Sequence, residues 1–364
     1  MSRFGLMGTG CLVLAGLVLS LRTKRLVPPR TADRSGFSLI DVLVVLAIIS
    51  LLISLLMPAV QRSREAARRL SCQSNQRQLG LAIANFEATR NHLPNVDQLP
   101  NGLVSGGFPD SSDISVQTLL LPYLDQAPLF QQIKLDDYLL VYSKMGVNST
   151  LNNAVLKIPV PVFQCPSDNV PPGGCSYPLS CGTSPGLHGN LDLPSDEAAR
   201  AGYIGRLTGQ FGSFTDGLSQ TVILSERSIG DMNLTTYTPS RDEAFYGQFN
   251  GFSAGTAARS CGNVPNPPSD HFSFTGTCWL ATGYGYTWYN HVLTPNSRTP
   301  DCSDSQVLGN NSLGCHSARS THTGGVNATF GDGSVRFINE EIDLKVWRAM
   351  GTSQGNEIVS GGTP

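Results

Sequence analysis

A chain of 364 residues with 40% apolar residues and a formal charge of −2 holds enough apolar material for a real core, and its near-neutral balance excludes the strongly basic surface of a nucleic-acid binder. Its 38 Gly and 23 Pro mark many turns and loops.

The first apolar stretch runs from Phe4 to Leu21 and is followed by Arg22, Lys24, Arg25, Arg30 and Arg34. That pattern suits a first membrane helix, a secretory signal, or residues ahead of a misplaced start, and the residues leave the three open. Next comes Arg34-Ser-Gly-Phe-Ser-Leu-Ile-Asp41, leading into a run from 39 to 60 whose only polar residues are Asp41, Ser50 and Ser54. As helix this run rises about 33 Å, enough to cross a bilayer core. An acid near the membrane end of such a helix is costly unless it meets a cation, so Asp41 is a functional-site candidate that calls for a positive partner. Pro58 has no N–H and its ring presses on the carbonyl of Ser54, so a bend or loosening is expected there, with Ser54 and neighbouring helices able to satisfy the freed group. Arg62, Arg64, Arg68 and Arg69 roughly balance the basic residues before the run, which leaves orientation weakly marked.

From Arg62 to Arg90 the only Gly or Pro is Gly80, and the spacing predicts that the helix continues. Leu79, Ala82, Ile83 and Phe86 form one apolar stripe that should pack on a sheet, and Asn91 and Pro94 end it. Beyond this, strand-like runs alternate with turns. Gln117 to Leu124 precedes a short helix or turn at 125–130, 162–168 reads as a strand entering a turn, and an Asp-Gly turn at Asp216-Gly217 leads into a β-branched strand before Glu226. The stretches 175–195 and 261–268 read as long surface loops. Near the C-terminus, strands 326–330 and 334–338 flank Asp332-Gly333, a tight hairpin. His322 and Asp332 could instead bind a metal or ligand, but a hairpin needs none, and the turn reading of His322, Asp332 and Gly333 is favoured.

The junction at Gly36, Phe37 and Asp41 resembles that of the type IV pilin and type II secretion pseudopilin superfamily, although the family's acid is Glu and its leader is shorter. The resemblance implies cleavage after Gly36 by a prepilin peptidase, methylation of the Phe37 amine, and assembly in which that amine neutralises the acid of a neighbouring pilin-like subunit, with Pro58 allowing the helix to leave the membrane. The block from His322 to Gly333 also resembles the H-X9-DG signature of a large bacterial prepilin-like family of unknown function. Blocks at 121–126, 163–168 and 215–221 match that family in the same order. The implied fold is α+β: a leader over 1–36, a membrane helix over 37–60, a helical spine over 61–93, and an antiparallel head with long disulfide-held loops over 94–364. The implied location is the inner membrane, with the head in the periplasm or outside the cell.

Cleavage after Gly36 would remove Cys11 and leave eight cysteines: Cys72, Cys165, Cys175, Cys181, Cys261, Cys278, Cys302 and Cys315. An even set in an exported domain suggests that most are paired, and short loops favour Cys175 with Cys181 and Cys302 with Cys315. No C-x-x-C pair occurs, so no metal site is expected; calcium, an analogy with some pseudopilin heads, finds no D-x-D-x-D loop.

No G-x-S-x-G elbow, H-E-x-x-H or P-loop occurs, and Asp136-Asp137 and Glu340-Glu341 read as solvated faces, so no enzyme activity is expected. Trp279, Tyr284, Tyr286, Trp288 and Tyr289 crowd one segment. A packed core strand is the favoured reading, and an exposed face could bind carbohydrate or protein. The sequence therefore points to a pseudopilin-like structural subunit, for example in a type II secretion-like system, with a membrane-anchored binding protein that uses the aromatic segment as the alternative.

Overall fold

The computed structural model describes residues 38–94, 114–135, 141–143, 146–148, 152–185, 209–247, 249, 253–304 and 313–355. The junction residues Gly36 and Phe37, the stretch 4–21, Cys11 and the pair Asp136-Asp137 lie outside them. The chain divides into two compact units, Met1–Pro58 and Ala59–Pro364.

Helix α1 spans Leu39–Arg90. It starts where Ser38 caps it: the Ile40 amide donates to Ser38 Oγ at 3.4 Å, and Asp41 Oδ2 accepts the Ser38 amide at 3.1 Å, the reciprocal arrangement of a capping box. The helix continues through Pro58, and Ser54 Oγ donates to the Leu51 carbonyl at 2.7 Å. It is long and apolar enough to cross a membrane, and its large apolar side chains between Leu39 and Val60 are 45% to 75% exposed. Further along, Leu79, Ala82, Ile83 and Phe86 are buried as the 3.6-residue spacing requires. Asn91, in the left-handed region at φ 59°, then closes α1 by donating its amide to the Glu87 carbonyl.

The segment expected as strand at 117–124 is helical: α2 spans Val116–Leu120, a 3-10 turn covers Leu121–Leu124, and α3 spans Ala127–Phe130. Ser115 decides this by accepting the Thr118 amide on its hydroxyl as N-cap, and Pro122 and Pro128 occupy early helical positions where a missing N–H costs nothing. Strands β1 (Val141–Ser143) and β2 (Gly146–Asn148) form an antiparallel pair, and α4 covers Asn153–Leu156. The expected strand at 162–168 is absent: Pro161 opens a 3-10 turn through Phe163, and residues 166–168 turn again after Cys165.

The remaining elements are β3 (Leu179–Ser180), β4 (Val222–Ser225), β5 (Glu243–Phe245), α5 (Ala254–Gly262), β6 (His271–Phe272), β7 (Trp288–Tyr289), β8 (Cys302–Ser303), β9 (Gly314–Cys315), β10 (Gly325–Phe330), β11 (Val335–Asn339) and α6 (Leu344–Met350). They build a five-stranded sheet ordered β11-β10-β4-β3-β7 and a four-stranded sheet ordered β6-β5-β8-β9. Both are mixed rather than purely antiparallel, because β3 pairs parallel with β7 and β5 with β8. The class is α+β.

The predicted C-terminal hairpin is β10–β11, in the register Val326↔Ile338 and Ala328↔Arg336. Gly333 takes φ +79° in its turn, and Asp332 Oδ1 accepts the Ser334 amide at 2.9 Å. All six residues of β10 are buried, since both of its faces are covered. Val326, Ala328 and Phe330 join a core with Trp347 and Met350 of α6, while Asn327 and Thr329 meet α1.

The surface loop expected over 175–195 is corrected across its described part, 175–185: Cys175 and Cys181 are buried on either side of β3, which needs apolar neighbours within its sheet, and 186–195 lie outside the described residues. In the second expected loop Cys261 and Gly262 belong to α5, while 263–268 form an exposed to half-buried loop as expected.

Candidate functional site

The stripe of α1 that packs on the head begins several turns earlier than its apolar residues suggest. Glu65, Arg69, Cys72 and Gln76 follow one another at steps of three or four residues and continue into Leu79 and Ile83, so one helical face is polar at one end and apolar at the other. Gln76 is fully buried; its amide nitrogen donates to the Asn327 carbonyl at 3.1 Å, and its oxygen accepts from Thr329 Oγ1 at 3.1 Å. Gln73 donates to Asn327 Oδ1 at 3.0 Å, and Asn75 donates to the Gln164 carbonyl at 2.9 Å. The Arg69 guanidinium lies 3.5 Å from the centre of the Phe337 ring, a cation–π contact. Gly80 permits the close approach: a Cβ there would stand 3.0 Å from the Thr329 methyl and 3.5 Å from Gly333 Cα.

At the polar end of this seam stands His322. It was expected in the turn with Asp332 and Gly333, and only the latter two are there. The imidazole is buried between helix and sheet, with Nδ1 2.8 Å from Glu65 Oε1 of α1 and Nε2 3.5 Å from Glu226 Oε1, next to β4. Nε2 also lies 3.6 Å from Cys165 Sγ. Glu226 is held in turn by the Asn327 amide at 2.9 Å and the Asn327 side chain at 2.8 Å. Burial works against the charged imidazole, but the Glu226 and Glu65 carboxylates outweigh it and raise the His322 pKa. Burial also pushes Glu65 up, and hydrogen bonds from Arg68, His322 and Ser167 reverse this, leaving it below its ordinary value.

Ser167, Glu65 and His322 touch, but not in the order that nucleophilic catalysis needs. The Ser167 hydroxyl donates to Glu65 at 3.2 Å rather than to the imidazole, whose Nε2 faces Cys165 and Glu226. The arrangement ties chain segments together.

The cysteines pair differently from the expectation. Cys72 of α1 joins Cys165, and Cys261 of α5 joins Cys302 of β8. Cys175, Cys181, Cys278 and Cys315 are free and buried, so half of the eight are unpaired and neither short-loop pairing forms. Cys302 and Cys315 are register partners on β8 and β9, yet Cys302 bonds to Cys261 from the helix above. Burial raises the thiol pKa of Cys175 to about 12 and of Cys278 to about 11, which suits inert core residues.

The aromatic segment is packed core, the reading favoured from its residues, with strand only at Trp288–Tyr289, and the alternative of an exposed ligand surface is corrected. Trp279, Tyr284, Tyr286 and Trp288 are each 0–1% exposed, and Tyr289 is fully buried. Tyr284 stacks on His316 at 4.1 Å, Trp279 Nε1 donates to the Ile158 carbonyl at 2.9 Å, and the ring of Tyr286 meets Phe272 edge to face. Their apolar area is spent inside the head. Glu340 and Glu341 are exposed, as expected.

A second buried network joins the two sheets. The Arg227 Nη2 atom lies 2.9 Å from Glu243 Oε2 of β5 and 3.9 Å from Asp301 Oδ2; Arg319 Nη2 lies 3.0 Å from Asp301 Oδ1. Arg227 also donates to the Tyr284 carbonyl. Burial alone would raise Asp301, but the Arg319 and Arg227 charges hold its carboxyl below the ordinary value. Buried charges are tolerated when paired in this way, and losing one partner is strongly destabilising.

A sequence model of the family described as "Protein of unknown function (DUF1559)" matches residues 61–345, most of the chain and nearly all of the seam. Comparisons with curated proteins and with solved structures find no match.

Proposed function

The chain belongs to the DUF1559 family, and from that premise we propose that it is a pilin-like structural subunit, processed after Gly36 by a prepilin peptidase and assembled in the inner membrane through α1. The observation that carries this reading is the division of α1 into two kinds of surface. Its outer half is fastened to the head by Gln73, Gln76, Cys72 and Glu65, whereas its large apolar side chains from Leu39 to Val60 are exposed and need lipid or other helices as cover. An anchor needs only the second feature; a subunit whose assembly helix also builds its head needs both. The H-X9-DG signature has a physical role under this reading, because His322 and the Asp332-Gly333 hairpin both press on α1. The competing binding-protein reading relied on an exposed aromatic face, and those rings are buried.

Asp41 supplies the test. Among the described residues it accepts only the Ser38 amide, which is a capping role, and the proposal gives it a second role in pairing with the Phe37 amine of a neighbour. Asp41→Asn keeps an acceptor for the cap and removes the charge. We expect Asp41→Asn and Asp41→Ala to insert normally yet lose cross-linking between copies in membranes, and Asp41→Glu to retain it. Unchanged multimers in Asp41→Asn would reduce the residue to a cap and defeat the subunit reading.

A further inference from the structure

We propose that, when Cys72 and Cys165 are reduced, the end of the α1 seam becomes a closed four-ligand site for a thiophilic divalent cation of the zinc class, held by Cys72 Sγ, Cys165 Sγ, His322 Nε2 and Glu226 Oε1. One ligand atom from each of these buried residues lies within 4.8 Å of all the others. Tetrahedral zinc with ordinary bond lengths sets a sulfur–nitrogen edge of about 3.6 Å and a nitrogen–oxygen edge of about 3.4 Å. The corresponding distances here are 3.6 Å for Cys165 Sγ to His322 Nε2 and 3.5 Å for His322 Nε2 to Glu226 Oε1. The two sulfurs must separate from a covalent bond to about 3.8 Å, and the remaining donor pairs start no more than 4.8 Å apart.

The surroundings suit a metal as well as the donors do. Glu65 accepts from His322 Nδ1 at 2.8 Å, which leaves the Nε2 lone pair pointing at the other donors in the neutral imidazole, the carboxylate–histidine pairing common behind zinc ligands. The Asn327 side chain holds Glu226 Oε1 at 2.8 Å in the same supporting role. An open groove of about 470 Å³, lined by Asn75, Pro161, Gln164, Cys165, Pro166 and Asp168, reaches Cys165 from solvent.

The chemistry balances in two steps. A dithiol reductant supplies two electrons and two protons, becoming a disulfide itself, and converts Cys72–Cys165 into two thiols. The cation then displaces both thiol protons, and the Nε2 proton of the charged form of His322, to solvent and binds the two thiolates and the Nε2 lone pair. Metal and disulfide are thus alternative staples between the same two points of α1 and the head, and this inference does not depend on the pilin-like reading.

Full-length protein in detergent micelles, reduced and then freed of reductant under anaerobic conditions, is titrated with Co²⁺ and back-titrated with Zn²⁺. We expect one equivalent of Co²⁺ with tetrahedral d–d bands and thiolate charge-transfer absorption, bleached by Zn²⁺, and no such signal from the oxidised protein. Glu65→Gln should weaken binding by about 10–100-fold, because it leaves an acceptor for His322 Nδ1–H but removes the carboxylate charge that makes the imidazole a stronger ligand. His322→Gln should remove the tetrahedral spectrum, and the double variant Cys72→Ser, Cys165→Ser should remove the charge-transfer band. Circular dichroism follows the fold throughout. The proposal is overturned if the reduced parent takes up no Co²⁺, folded or unfolded, or if the double cysteine variant gives the same spectrum through the other cysteines. Should the double variant fail to fold, unchanged affinity in both Glu65→Gln and His322→Gln overturns it equally.

Discussion

Gly80 gives the sharpest test of how α1 meets the hairpin, because helix propensity and packing pull in opposite directions there. Replacing a mid-helix glycine by alanine or leucine gains about 0.8–1 kcal/mol of intrinsic helix stability, so a residue on a free helix face would become more stable. At Gly80 the new Cβ meets the Thr329 methyl at 3.0 Å, and Thr329 cannot turn aside freely because its hydroxyl donates to Gln76. A longer side chain would add atoms where the Gly333 Cα and carbonyl oxygen already stand 3.5 and 3.9 Å from the Cβ position. Overpacking of this kind costs about 1–3 kcal/mol, so Gly80→Leu should lose about 1 kcal/mol net. For Gly80→Ala the two effects nearly cancel, and its stability should stay within about 0.5 kcal/mol of the parent. Urea unfolding of the full-length protein in detergent, followed by emission of the buried Trp279, Trp288 and Trp347, measures both. A Gly80→Leu protein as stable as the parent, or more stable, would refute the close contact between α1 and the turn at Gly333.

Gln76→Ala breaks both of the hydrogen bonds that Gln76 makes to β10 and leaves buried polar partners behind, which predicts a loss of about 2–4 kcal/mol in the same assay; a loss below ~0.5 kcal/mol would show that the seam is not held there. His291 is buried as a neutral ring, with its Nδ1–H 2.8 Å from the Trp347 carbonyl and Nε2 accepting from Tyr289 at 3.0 Å. Burial lowers its pKa to about 3 from an unfolded value of ~6.5. Its stabilising contribution is therefore complete above that unfolded value and drains away as pH falls toward the folded one, at up to about 1.4 kcal/mol per pH unit. His291→Gln should flatten this part of the stability profile, and parallel profiles would contradict the assignment. Alkylation of the denatured, unreduced protein should label Cys175, Cys181, Cys278 and Cys315, with peptide mapping recovering Cys72–Cys165 and Cys261–Cys302; a Cys302–Cys315 peptide would overturn the pairing.

What could be read from the residues was what is encoded locally and periodically. The long helix, its Leu79–Phe86 stripe, its stop at Asn91 and the Asp332-Gly333 hairpin all follow from spacing and turn chemistry. The run from 117 to 124 reads as strand because short apolar runs carry no period of their own; the usable signal is Ser115 as N-cap with Pro122 behind it. The polar half of the seam was missed because Glu65, Gln73 and Gln76 look like solvated helix residues, although Glu65, Cys72 and Gln76 share the phase of the apolar stripe. His322 was placed in a turn because its partner Glu65 lies 257 residues away, a pairing that no local pattern encodes. The same holds for Cys72 with Cys165. The aromatic segment was legible as buried core, because aromatic residues are favoured in packed strands.

The central claim is that this protein is made as a prepilin, and the mature N-terminus tests it most directly. Intact-mass and N-terminal peptide spectrometry of protein from native membranes should show a chain beginning at Phe37 with a methylated amine, and Gly36→Leu should leave the precursor uncut. A membrane-resident chain that retains Gly36, or that begins elsewhere while Gly36→Leu is processed as usual, would contradict the account.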